Sequence, residues 1–234
     1  MKFLSIVLLV ALSACSSKHK PQEVPVVAAE TDSSRTNSDQ WTKGWPETAK
    51  LAAHSMISKY GPPKEATPSM LIWEKTGPFK RTIVYKQETS HRFPFAHKDV
   101  LEQVVDYRVP AAKVDELFKF NGSLKIDRTR GELSSRCDKE AMNLLALNLA
   151  DEVIRDMRSV EDARKEFASA AQTYMIGNAN RYNTALMFTP AAETFDADLK
   201  MKNLSDMKGS LQADDAIQAE EAQGSLESDN LELE

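Results

Sequence analysis

The chain has 234 residues, with 30 Lys and Arg against 35 Asp and Glu, a formal net charge of −5 at pH 7 and 41% apolar residues. A nucleic-acid footprint would show as a concentrated basic face and a high pI, so no nucleic-acid partner is expected. The charge is uneven: from Glu193 onward, 12 acidic residues stand against Lys200, Lys202 and Lys208 only. The negative balance therefore belongs to the C-terminal stretch.

In chain order, Lys2 is the only charge before an apolar run, Phe3 to Leu12, too short to span a bilayer. It ends in Leu12-Ser13-Ala14-Cys15. A positive start, a short apolar run and small residues before a cut site make a secretory signal. The four residues resemble the lipobox of bacterial lipoproteins. That resemblance implies removal of residues 1–14, diacylglycerol on the Cys15 sulfur and acylation of the new amine, as with palmitate. One chain binds only marginally at about 0.8 kcal/mol per buried CH₂, and several on one residue make release negligible. Ser16, where an inner-membrane retention signal would have Asp, implies the outer membrane, facing the periplasm. The expected partner is the membrane, through the lipid.

Residues 15–40 read as the lipidated cysteine and a flexible stalk rich in Ser, Thr, Pro, Lys and Glu. As a coil at about 5–6 Å × √n it reaches roughly 25–30 Å. Residues 41–189 suffice for one domain of ordinary size. Cys137 is the only thiol besides Cys15, so the fold must rest on its core without an intramolecular disulfide.

Within the domain, Ala49, Ala52, Ala53, Met56, Ile57 and Tyr60 recur at helical spacing, and Gly61-Pro62-Pro63 ends that helix. Leu71 to Lys75 and Arg81 to Gln87 read as a hairpin, Ile83 and Tyr85 alternating with Thr82 and Val84. His91 to His97 reads as a loop, Asp99 to Gln103 as a short helix and Val104 to Val109 as a strand. A helix over Ala111 to Phe120 follows, and a second hairpin, Ser123 to Thr129 with Glu132 to Ser135, turns at Arg130-Gly131. Two long helices come next, Asp138 to Arg158 and, from the capping sequence Ser159-Val160-Glu161-Asp162, through Met175. Arg181 to Phe188 fits either a helix or a strand. Residues 190–234 read as a disordered acidic tail. The expected class is α+β: one domain with two short antiparallel hairpins and two long C-terminal helices.

Three constellations could carry chemistry. His91 and His97 flank Phe93-Pro94-Phe95 with Asp99 close by, but helical i,i+4 and Cys-rich metal spacings are missing. A packed loop is expected there, with no metal and no cofactor. Cys137 follows Arg136 near a helix start, surroundings that favour a thiolate, yet no motif supplies a base. Core packing is the simpler expectation. Arg128, Arg130, Glu132 and Arg136 form a mixed-charge patch able to grip a carboxylate, phosphate or peptide, or simply a hairpin turn. Trp41 and Trp45 could stack on glycan or staple the first helix.

Gly44-Trp45-Pro46, Lys59-Tyr60-Gly61-Pro62-Pro63, Leu101-Glu102-Gln103 and Arg128 to Asp138 together resemble an uncharacterised family of bacterial exported proteins, which implies no activity. More locally, Pro46 to Glu88 is similar to small lipoproteins that help assemble outer-membrane barrels. The leading expectation is a non-enzymatic envelope lipoprotein contacting envelope proteins or the cell wall. The alternatives are a small periplasmic enzyme using Cys137 or the His91/His97 loop, and a module binding glycan or another small ligand. A cleft bringing Cys137 within hydrogen-bond reach of a histidine would favour the enzyme.

Overall fold

A computed structural model describes residues 40–196. The lipobox, Cys15, the stalk to residue 39 and the tail beyond 196 lie outside the described residues. The described chain is α+β, built on one six-stranded antiparallel sheet of order β1-β2-β3-β4-β6-β5. The strands are β1 (Glu65–Ala66), β2 (Met70–Thr76), β3 (Phe79–His91), β4 (His97–Asp106), β5 (Leu124–Asp127) and β6 (Glu132–Cys137). The helices are α1 (Glu47–Tyr60), α2 (Val114–Phe120), α3 (Glu140–Ile154), α4 (Val160–Met175) and α5 (Arg181–Thr184).

Both expected hairpins form, but they are one sheet because β4 joins them. Leu101 pairs with Val84 of β3 on one side and Cys137 of β6 on the other. The segment from Asp99 to Gln103 is therefore strand, not the expected short helix. Its polar side chains are buried with partners: Glu102 accepts from Tyr85, Lys125 and Ser134, and Gln103 donates to Glu140. A central strand tolerates such residues only when each is satisfied.

Side chains alternate across the sheet. Leu101, Gln103 and Val105 share a face with Leu133 and Cys137, and helices cover it in two apolar clusters. α1 closes the smaller one over Leu71, Trp73, Val84 and Leu101. α3 and α4 close the larger one over Val105, Leu133 and Cys137, with Phe120 of α2 and Phe167 of α4. Between them runs a polar seam. Glu140 accepts from Tyr60 (2.8 Å) and Gln103 (2.6 Å) and pairs with Lys59, while Asn143 bonds Gln103 Oε1 (3.2 Å) and the Leu101 carbonyl (3.0 Å).

Helix ends follow local chemistry. Ser159 caps α4 by accepting from the Asp162 amide at 3.1 Å, as the capping sequence implies. α3 stops at Ile154, short of Arg158, and Asp156 takes a left-handed φ of 56°. Met157, inside the expected helix span, consequently lies beyond its end and is exposed. Arg181 resolves as one helical turn. Ordered contacts also continue past Thr189: Thr194 donates to the Gly131 carbonyl at 2.7 Å, and Asp196 pairs with Arg128 at 2.9 Å. Gly131 must be glycine there, because its φ is +63° and a Cβ would lie 2.2 Å from the Thr194 backbone.

Candidate functional site

The β3–β4 hairpin places the candidate histidines by register. His91 and His97 are cross-strand partners at its closed end, and Asp99 stands two residues along from His97, on the same face. The loop between, 92–96, contains a cis Phe93–Pro94 bond. Phe93 packs on Phe167 of α4 (5.2 Å between centroids), with the Arg164 guanidinium 4.0 Å above its ring. Phe93 thus plugs the core as expected; Phe95 does not and is 44% exposed. Cys137 reaches the same place through β6, and Ser123 through the turn before β5, where its amide donates to Asn121 Oδ1 at 2.9 Å.

The resulting cluster is compact. His97 Nε2 lies 3.0 Å from Asp99 Oδ1 and 3.3 Å from Cys137 Sγ. His97 Nδ1 donates to the Phe95 carbonyl at 2.8 Å. Ser123 donates to Asp99 Oδ2 and accepts from His91 Nδ1 at 3.0 Å, and His91 Nδ1 is 3.5 Å from Asp99 Oδ2. Burial opposes ionisation of Asp99, but His91, His97 and Ser123 outweigh it and lower its pKa to about 2. Burial likewise works against a charged His97, yet its contacts with Asp99, Cys137 and the Phe95 carbonyl hold its pKa well above the ordinary histidine value. Cys137 is held as a thiol: burial pushes it up more than His97 brings it down, and it donates to Asp138 Oδ1 at 3.5 Å.

Cys137 and His97 thus meet, as the enzyme reading requires, but burial pushes the thiol pKa up, where a nucleophile needs it lowered. One ring nitrogen faces both the thiol and Asp99, and its contact with Asp99 favours the protonated ring. A base must be free to accept. Beside the pair opens a pocket of about 170 Å³, lined by Pro94, His97, Met142, Phe167 and Tyr174 and rimmed by the exposed Phe95 and Met175.

Comparison of the chain with protein-family models, with curated proteins and with solved structures finds no match.

The other sequence candidates are separated. The mixed-charge patch is spent within the chain: Arg128 pairs with Asp196, and Arg136 stacks 4.1 Å over Tyr85 and donates to the Gln87 carbonyl. Glu132 is buried against a bidentate Arg81 (2.6 and 3.0 Å) and Lys80 (3.0 Å); only Arg130 stays largely exposed. Burial alone would raise the Glu132 pKa, but these cations lower it to about 2. Trp45 and Trp73 are buried, Trp73 donating to the Gly61 carbonyl at 2.9 Å, and Trp41 packs on the same cluster. They form no exposed stacking platform. His54 lies on α1. Ser123 carries no signal in the sequence, where a lone serine does not stand out, and Glu140 sits in a dense polar stretch that hides its partners Gln103 and Tyr60.

Proposed function

We propose that this protein is a lipoprotein of the bacterial cell envelope, tethered through acyl chains on Cys15, whose domain serves as a non-catalytic interaction module. The observation that carries the reading is the run Lys2, Phe3 to Leu12 and Leu12-Ser13-Ala14-Cys15. Ser16 favours the outer membrane, facing the periplasm. Among the described residues no helix is long and apolar enough to cross a membrane. The buried thiol of Cys137, with its pKa raised, and the contacts that favour a charged His97 support the non-catalytic part. The apolar pocket rimmed by Phe95 and Met175 offers a foothold for an envelope partner or cell-wall component.

Labelling cells with radioactive palmitate tests the anchor. The wild-type chain takes up label and sediments with membranes, whereas Cys15→Ala does neither. An unlabelled wild-type protein recovered in the cytosol ends the proposal. Crosslinking in intact cells, followed by mass spectrometry, then identifies what the domain touches.

A further inference from the structure

We propose that His91, His97 and Asp99 form a binding site for a divalent cation of the zinc class, at the closed end of the β3–β4 hairpin. One donor atom from each residue lies within 4.8 Å of the other two. Ligand atoms about 2.0–2.2 Å from a tetrahedral ion lie roughly 3.3–3.6 Å from one another. His91 Nδ1 to Asp99 Oδ2 at 3.5 Å falls on that edge, and His97 Nε2 to Asp99 Oδ1 at 3.0 Å is slightly shorter than it. The two imidazoles thus face the two oxygens of one carboxylate, and a small movement brings all three onto a common ion.

Two further observations point the same way. Asp99 Oδ1 is fully buried and accepts no aligned hydrogen bond, although His97 Nε2 is in range, because the ring nitrogen's hydrogen bond goes to Cys137. A buried oxygen without an aligned donor is costly, and a metal ion supplies the directed contact that the imidazole does not. The outer contacts are also those of a ligand set. His97 Nδ1 donates to the Phe95 carbonyl, which holds a proton on Nδ1 and leaves Nε2 to ligate, and Ser123 orients Asp99 through Oδ2. Cys137 Sγ, 3.3 Å from His97 Nε2, is a further donor at hand. Two imidazoles and a carboxylate suit zinc better than magnesium or calcium, which prefer oxygen alone. On binding, His97 gives up its Nε2 proton to solvent and keeps the one on Nδ1, while His91 frees Nδ1 by giving up its bond to Ser123 and carrying its proton on Nε2 instead.

The test uses the tag-free mature chain in detergent, stripped with a chelator and dialysed against Zn²⁺. The expected result is one Zn²⁺ retained per chain and an unfolding midpoint raised by roughly 5–10 °C at a hundredfold excess over Kd. His97→Ala and Asp99→Asn bind at least about 100-fold more weakly. Their midpoints in chelator, read beside that of the wild type, separate lost ligands from lost folding. Replacing Zn²⁺ by Co²⁺ gives the visible spectrum of a four-coordinate ion in the wild type and not in His91→Ala. Wild-type protein that retains no Zn²⁺, or variants that fold and retain it as tightly, overturns the proposal.

Discussion

Strands β3, β4 and β6 carry a charged cluster on each side of the sheet, and the two are built differently. On the face away from the helices, Glu102 and Glu132 are satisfied by long, adaptable side chains: Tyr85 and Lys125 on one, Arg81 and Lys80 on the other. Every partner comes from a strand or the turn beside it. On the helix-covered face, Asp99 is surrounded by short, stiff groups, and one of its oxygens is left without an aligned donor. The first arrangement lets arginine and lysine stems cover the sheet where no helix does so, with their charges neutralised. The second spends burial on groups that pack less well than leucine would. Polar residues held that way are a mark of function more than of stability.

That contrast is sharpest at Asp99. In chelator, Asp99→Asn leaves two imidazoles facing a neutral amide, at a cost of about 3 kcal/mol, because removing one member of a buried ion pair strands the other. Urea unfolding measures it. A loss below 1 kcal/mol would mean that the cluster is not held by charge. Zn²⁺ cannot rescue this variant if the carboxylate is a ligand, so the deficit should widen when the cation is added.

How much of this was legible follows from where each partner lies. The alternation around Ile83 and Tyr85 marks β3, and Ser159 marks the start of α4, because both signals are local. His91, His97 and Asp99 lie within nine residues, so their proximity was visible, although not the hairpin that makes them one face. Cys137 joins only through the Leu101↔Cys137 register, 40 residues away from His97. The segment Asp99-Val100-Leu101-Glu102-Gln103 reads as helix because its polar residues look exposed. Their partners, Ser123, Tyr85 and Glu140, come from three other elements that local pattern cannot bring together. The same reasoning explains Arg128, Glu132 and Arg136: dense charge read as a patch is internal pairing once the sheet closes.

On the opposite face, Glu132→Gln is expected to cost roughly 2 kcal/mol, less than Asp99→Asn because Lys80 is 38% exposed and water shields part of the loss. The pH dependence has a definite sign. The folded pKa of Glu132 is about 2, below the ordinary 4.5, so its contribution is fully present above pH 4.5 and is lost as the pH falls toward 2. Glu132→Gln therefore flattens the stability profile between pH 4.5 and 2 and leaves it unchanged near pH 7 apart from the constant offset. Asp106 pairs with Glu132, and Asp99 is seven residues farther along β4, roughly 23 Å at 3.3 Å per residue. The double variant should then add within about 0.5 kcal/mol. Strong coupling would join what the geometry separates.

The smallest effect belongs to Arg136. Its guanidinium lies 4.1 Å over Tyr85 and donates once to the Gln87 carbonyl, at the edge where β3 bulges between Val84 and Thr89. Arg136→Ala should cost about 1 kcal/mol, from the lost stacking and the stem that covers the ring. Arg136→Lys should recover less than half, since an ammonium cannot lie flat on the ring as a guanidinium does. If instead Arg136 were the anion-gripping residue of a ligand patch, lysine would substitute for most of its effect on phosphate binding while stability stayed unchanged. Thermal unfolding of both variants, with and without inorganic phosphate, tells the two roles apart. The expected outcome is a phosphate-independent loss, which would place the open face on the structural side of the comparison.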